Sequence, residues 1–274
     1  MTAPLLAVEN VGMKFGGFVA LQGVTTEFRP GRVTSIIGPN GAGKSTTFNM
    51  VGGQLRPDKG TVRLAGEAVT GLPPRLVWRK GVGRTFQIAQ TFVSMSVVEN
   101  VQMALISFHG ETRAVLPATA RLHREAALGF LARVGMADVA DKPVNELAYG
   151  DVKRVELAIA LASEPKLLLM DEPTAGMAPK ERAGLMELTA TIAREHRIGV
   201  LFTEHDMDQV FAHADRILVL VRGEIIAAGT PDEVRAEPRV KQVYLGEHGV
   251  EAALRARRAR LAQGAATPPK AEAT

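Results

Sequence analysis

The chain has 274 residues, with 33 Lys and Arg against 29 Asp and Glu, a formal net charge of +4, 46% apolar residues and no cysteine. At roughly 150 residues per domain this length allows one large domain or two small ones, and the apolar and charged fractions exclude whole-chain disorder. Without cysteine there are no disulfides, thiolate zinc sites, iron–sulfur clusters or cysteine nucleophiles, which is consistent with a reducing compartment.

Met1-Thr-Ala-Pro-Leu-Leu-Ala-Val-Glu9 lacks a positive start and meets an acid too early for a signal peptide. No window approaches the ~18 apolar residues of a spanning helix. A soluble or membrane-peripheral chain is expected. In chain order, strands are predicted over 5–11, 19–28 and 32–38, separated by Gly16-Gly17 and Pro30-Gly31 turns. A helix is predicted over 45–51, then strands at 60–65 and 82–86. From about 96 to 162 the pattern turns helical, notably over 119–134 and 152–162. Short apolar runs at 167–170, 198–203 and 217–221 then alternate with amphipathic segments at 180–195 and 206–212. Continuous apolar strands separated by helices indicate a parallel sheet covered on both faces. The expected α/β domain occupies 1–248, with β structure at its front and a helical insertion at about 88–163. Residues 249–274 are expected to form a flexible basic tail. That tail holds Arg255, Arg257, Arg258, Arg260 and Lys270 against Glu251 and Glu272, so +3 of the net +4 lies there. The remainder is nearly balanced, and nucleic acid is not expected as a partner.

Gly38-Pro-Asn-Gly-Ala-Gly-Lys44-Ser45 fits G-x-x-x-x-G-K-[ST], between a predicted strand and a predicted helix as that motif requires. Small residues let the backbone N–H groups of Gly38, Pro39, Asn40, Gly41, Ala42 and Gly43 (proline aside) curl around a polyphosphate, aided by the helix N-terminus. Lys44 would reach the β- and γ-phosphates, Ser45 would ligate Mg²⁺, and Thr46 lies beside them. Downstream, Leu167-Leu-Leu-Met-Asp171-Glu172 is a buried strand ending in two acids. Asp171 suits Mg²⁺ binding, and Glu172 suits orientation or deprotonation of the attacking water. These two motifs leave open GTPases, helicases, kinases and transport ATPases; no Asn-Lys-x-Asp guanine motif occurs, so GTP specificity is not expected.

Further motifs resemble those of the nucleotide-binding subunits of ABC transporters. Phe15, ahead of Gly16-Gly17, resembles the aromatic that stacks on adenine. Gln87 in Arg84-Thr-Phe-Gln resembles the glutamine that senses Mg²⁺ or the lytic water and borders the membrane partner. Leu147-Ala148-Tyr149-Gly150-Asp151 resembles the signature motif, and His205 in Thr203-Glu-His-Asp the switch histidine facing the γ-phosphate. Taken singly, each has a bland reading as core, surface or turn; their order around one phosphate loop is what is specific.

The resemblance covers about residues 5 to 247. It implies a P-loop ATPase core with an N-terminal antiparallel β subdomain and an inserted helical subdomain. It also implies a head-to-tail dimer with two ATPs between phosphate loop and signature, so Ala148, Tyr149, Gly150 and Asp151 would meet the partner's nucleotide. Ala148 stands where the family has serine, Asp151 where it has glutamine, and Ala178 where it often has aspartate. Together with Tyr244-Leu-Gly-Glu, these motifs resemble the larger ATPase subunit of branched-chain amino-acid importers; related importers carry urea, amides or aromatic acids. The implied partners are a second ATPase subunit, identical or different, membrane permease subunits and, indirectly, a solute-binding protein. The implied location is the cytoplasmic membrane face. A soluble non-transport ABC ATPase and a non-hydrolysing regulator are the competing classes. Long coiled coils, zinc cysteines or a second cassette would favour the former and are absent from the sequence, whereas Glu172 and His205 argue against the latter.

Overall fold

Five fully buried residues, Val33–Ile37, form the strand around which the larger sheet is organised. In the computed structural model, which describes residues 3–85, 90–111 and 122–243, ten strands fall into two sheets. The smaller is antiparallel: β1 (Leu6–Phe15), β2 (Phe18–Phe28), β4 (Lys59–Leu64) and β5 (Glu67–Ala68), in the order β2-β1-β4-β5. The larger has the order β10-β9-β3-β8-β7-β6, from β3 (Val33–Ile37), β6 (Val82–Thr85), β7 (Leu167–Asp171), β8 (Gly199–Thr203), β9 (Arg216–Val221) and β10 (Glu224–Gly229). β9, β3, β8, β7 and β6 run parallel, and β10 closes the edge antiparallel to β9.

Alternation along these strands divides the core in two. Ile36, Leu167, Leu169, Leu201, Leu218 and Leu220 face the antiparallel sheet, together with Leu6, Val8, Val11, Leu21 and Phe28. Ile37, Leu168, Met170, Val200, Phe202 and Val219 face the helices on the other side. Both faces are covered, which is why these strands read as unbroken apolar runs. Phe48 has no exposed surface, and burying such a side chain contributes roughly 1.5–3 kcal/mol.

The helices are α1 (Lys44–Val51), α2 (Pro74–Arg79), α3 (Val97–His109), α4 (Arg124–Arg133), α5 (Tyr149–Leu161), α6 (Pro179–Glu195), α7 (Met207–His213), α8 (Pro231–Ala236) and α9 (Pro238–Val243). α3, α4 and α5 pack together through Val98, Val101, Leu105, Phe130, Leu131 and Val155 as the inserted helical layer. α3 starts on a capping box, in which Ser96 Oγ accepts from Glu99 N–H and Glu99 returns the bond to Ser96 N–H.

Several elements differ from the sequence reading: β1 runs on to Phe15, past its expected end at 11, and neither β5 nor α2 was predicted. The helix expected over 119–134 begins at Arg124, because His123 takes a left-handed φ of 56°; residues 119–121 lie outside the described set. The helix expected from 152 begins at Tyr149, which puts Gly150 inside its first turn rather than ahead of it. β10, α8 and α9 were not predicted: Glu224–Gly229 carries neither a fully buried run nor clean alternation, and both helices have only six residues. The insertion's expected start at 88 and the tail at 249–274 lie outside the described residues. No described helix is long and apolar enough to cross a membrane.

Candidate active site

The C-terminal ends of β3, β8 and β7 lie side by side, with Ile36 opposite Thr203 and Thr203 opposite Asp171. In an open parallel sheet this edge is where ligands bind. The loop leaving β3 is fitted by glycine at two close approaches. A Cβ on Gly38 would meet Leu220 O at 2.1 Å, and one on Gly43, at φ 103°, would meet Leu21 Cδ2 at 2.6 Å and Ala20 O at 2.7 Å. Gly223 N–H donates to Ala42 O at 3.0 Å, tying the loop to the β9–β10 turn.

Lys44 opens α1. Its Nζ donates to Gly38 O at 2.7 Å and Pro39 O at 3.2 Å, so the ammonium bridges its own loop. Burial lowers the Lys44 pKa from its ordinary value, and the negative charges of Glu172 and Asp171 work against that shift. The start of α1 has no side-chain cap, leaving its first N–H groups available.

A cavity of about 250 Å³ lies over this loop, lined by Phe15, Phe18, Ala20, Asn40, Gly41, Ala42, Gly43, Lys44, Ser45, Thr46, Glu172 and His205. Phe15, Asn40, Gly41, Ala42, Gly43, Lys44, Ser45, Thr46, Glu172 and His205 are therefore gathered on one hollow, whereas Gly38, Pro39 and Asp171 do not line it. Phe18 was missed. It pairs with Phe15 across the hairpin, and both rings are exposed, at 60% and 47%; the symmetric Phe-Gly-Gly-Phe pattern was the available signal. Gln87 lies outside the described residues.

The two acids are held from the next strand. Thr203 Oγ1 donates to Asp171 Oδ1 at 2.7 Å. Glu172 sits at φ 47°, unusual for a residue with a side chain, and its N–H reaches Thr203 O at 3.1 Å. His205 Nε2 lies 2.9 Å from Glu172 Oε1. Arg84, at the end of β6, places Nη2 3.6 Å from Asp171 Oδ2 and donates through Nη1 to Asn49 Oδ1 and Gln54 Oε1 at 3.1 and 2.6 Å. Burial lowers its pKa, and Asp171 opposes that. Neither Thr203 nor Arg84 carries a motif signal of its own; strand pairing brings them to the acids.

The segment Ala148–Asp151 does not line this cavity. Ala148 caps α5 in position but supplies no side-chain bond. Ala148 and Tyr149 are exposed and Gly150 is buried. Within the chain this segment meets the loop after Glu172: a Cβ on Gly176 would lie 3.5 Å from the Tyr149 ring, and one on Gly150 3.2 Å from Glu181 Oε1.

A phosphate loop after the central strand, acids at the end of a neighbouring strand and an inserted helical layer define a P-loop ATPase of the cassette type. The chain belongs to the ABC transporter family, whose model matches residues 21–175; a second model, for the branched-chain amino acid ATP-binding cassette transporter, matches residues 224–250. It is 41% identical over 257 residues to the high-affinity branched-chain amino acid transport ATP-binding protein LivG of Salmonella typhimurium, a match covering 90% of this chain and 100% of the relative. To its counterpart BraF of Pseudomonas aeruginosa it is 41% identical over 255 residues, with the same coverage of both chains. The solved ADP conformation of MJ1267, an ATP-binding cassette of an ABC transporter, superposes with a TM-score of 0.77 at 32% identity over 90% of this chain and 100% of that one. The protein therefore binds nucleotide and hydrolyses ATP in support of transport, and its family implies permease subunits and a second cassette as partners.

Proposed function

We propose that this chain is the larger ATPase subunit of an importer for branched-chain amino acids, acting at the cytoplasmic membrane face. The fit over whole lengths to LivG and BraF and the match at 224–250 support that substrate class. ATP would bind with its polyphosphate on the N–H groups from Asn40 to Thr46 and its base against Phe15, with Phe18 beside it.

Ser45 and Asp171 offer hydroxyl and carboxylate oxygens, the hard donors that suit Mg²⁺, and Thr203 orients the carboxylate. When bound, Mg²⁺ would neutralise charge on the phosphates. Lys44 would exchange its two carbonyl partners for phosphate oxygens. Glu172 would accept a proton from water as the water oxygen bonds the γ-phosphorus and the bond to the bridging oxygen breaks, releasing ADP and phosphate. His205, 2.9 Å from Glu172 Oε1, would hold that carboxylate and face the γ-phosphate. Gln87 would complete this group. Ala148, Tyr149, Gly150 and Asp151 would close over the partner's ATP, using the uncapped start of α5 as an anion site.

The observation that carries this reading is the single hollow joining an open helix start, Glu172 and His205. Its test is purification of the native complex and reconstitution in vesicles. Co-purifying permease and solute-binding subunits, with ATP-dependent uptake of leucine, isoleucine or valine, are expected. Uptake of urea, an amide or an aromatic acid instead would reassign the substrate, and a complex of soluble proteins alone would remove the importer role.

A further inference from the structure

The side chains of Asp171, Glu172 and Thr174 are each met by the segment Thr203–His205, and the contact made by Glu204 belongs to none of the roles assigned above. Glu204 is 4% exposed and Thr174 is 1% exposed. Glu204 Oε1 accepts from the Thr174 backbone N–H at 2.9 Å and from Thr174 Oγ1 at 2.7 Å. A buried carboxylate costs free energy unless its bonds are well made. Here one oxygen takes two donors from a single residue of the neighbouring loop.

The bonds are ordered along both segments. Thr203 holds Asp171, His205 meets Glu172, and Glu204, between them, reaches one step further to Thr174. Glu172 sits in a left-handed conformation two residues before Thr174, so the turn on its far side must be anchored for the carboxylate to keep its place. Phosphoryl transfer depends on that placement, and an error of about 1 Å costs on the order of a hundred-fold in rate.

We infer that Glu204 is a positioning residue for hydrolysis: through Thr174 it fixes the turn that aims Glu172 into the phosphate hollow. This rests on the reading of Glu172 as general base. Glu204 itself lines no part of the hollow, so its loss acts on turnover and not on nucleotide capture.

The experiment measures phosphate release, ATP affinity and melting of the full chain in its native complex. Glu204→Ala is expected to lower kcat at least ten-fold with KM and ATP Kd within two-fold. Glu204→Gln, which keeps an oxygen acceptor at the same place, is expected to recover to within three-fold of the parent. Thr174→Val is expected to lower kcat, Thr174→Ser to preserve it, and Thr174→Val added to Glu204→Ala to cost nothing more. Unchanged kcat in Glu204→Ala, a loss confined to ATP affinity, or additive losses in the double variant would overturn the assignment. If Glu204→Ala fails to fold, the Thr174→Val and Thr174→Ser pair decides, equal turnover counting against it. Failure of the underlying reading shows separately, as normal turnover in Glu172→Gln.

Discussion

Helices α1 and α5 are among five described helices that begin without a side-chain cap, and their surroundings differ: one start lies in a hollow of this chain, the other opens to solvent. At the start of α1 the N–H groups face a hollow walled by the chain's own Phe15, Phe18, Glu172 and His205. At the start of α5, Ala148 and Tyr149 open to solvent, and Gly176 and Glu181 close in from one side. Three other helices spend polar side chains on this job: Ser96 caps α3, Asp206 caps α7 and Thr230 caps α8. The local physics of α1 and α5 is alike, namely unsatisfied donors at the positive end of a helix dipole. What differs is whether this fold supplies the remaining walls.

The comparison can be broken most severely at the acid opposite α1. Replacing Glu172 by Gln is expected to lower ATP turnover by roughly 10²- to 10⁴-fold, the range of general acid–base catalysis, while ATP still binds. Phosphate release and equilibrium binding measured side by side check it, and near-normal hydrolysis would take Glu172 out of that role. Next is Lys44→Ala. Charge-assisted hydrogen bonds are worth about 1.5–3 kcal/mol, so ATP affinity is expected to weaken by roughly ten- to a hundred-fold, as read by titration. Gly38→Ala attacks the loop's seat: its Cβ would meet Leu220 O at 2.1 Å, and backbone cannot yield as a side chain can. Loss of both thermal stability and ATP binding is expected, on the order of 1–3 kcal/mol. A variant that melts like the parent would show that the loop has room.

The smallest effect belongs to α5. Ala148→Ser adds the missing cap, expected to contribute about 1 kcal/mol and to raise the melting point by about 2–4 °C. Its effect on turnover distinguishes two uses of the hydroxyl. If it serves only the helix, stability rises and hydrolysis is unchanged; if it also meets the partner's ATP, apparent KM falls.

Much of the first site was legible because its physics is local. A strand, small residues, a lysine and a helix start must be contiguous for a phosphate loop to form, so Gly38 to Thr46 stands in one line of sequence. Asp171 and Glu172 likewise close an apolar run. The second site was less legible. The start of α5 was placed three residues late because Tyr149 and Gly150 carry no apolar spacing, yet both lie in its first turn. Arg84, Thr203, Glu204 and Thr174 were passed over, since their roles come from neighbours 30 or more residues away.

The sequence by itself determined the class of fold, the phosphate loop, the identity of the candidate acids and the family, because each depends on contiguous residues or on ordered motifs. Strand order was decided only in three dimensions. Setting β8 between β3 and β7 put Thr203, Glu204 and His205 against both acids and the turn beyond them. Contacts of that range come from sheet pairing and the packing of two buried faces, and no local propensity encodes which strand will lie beside which.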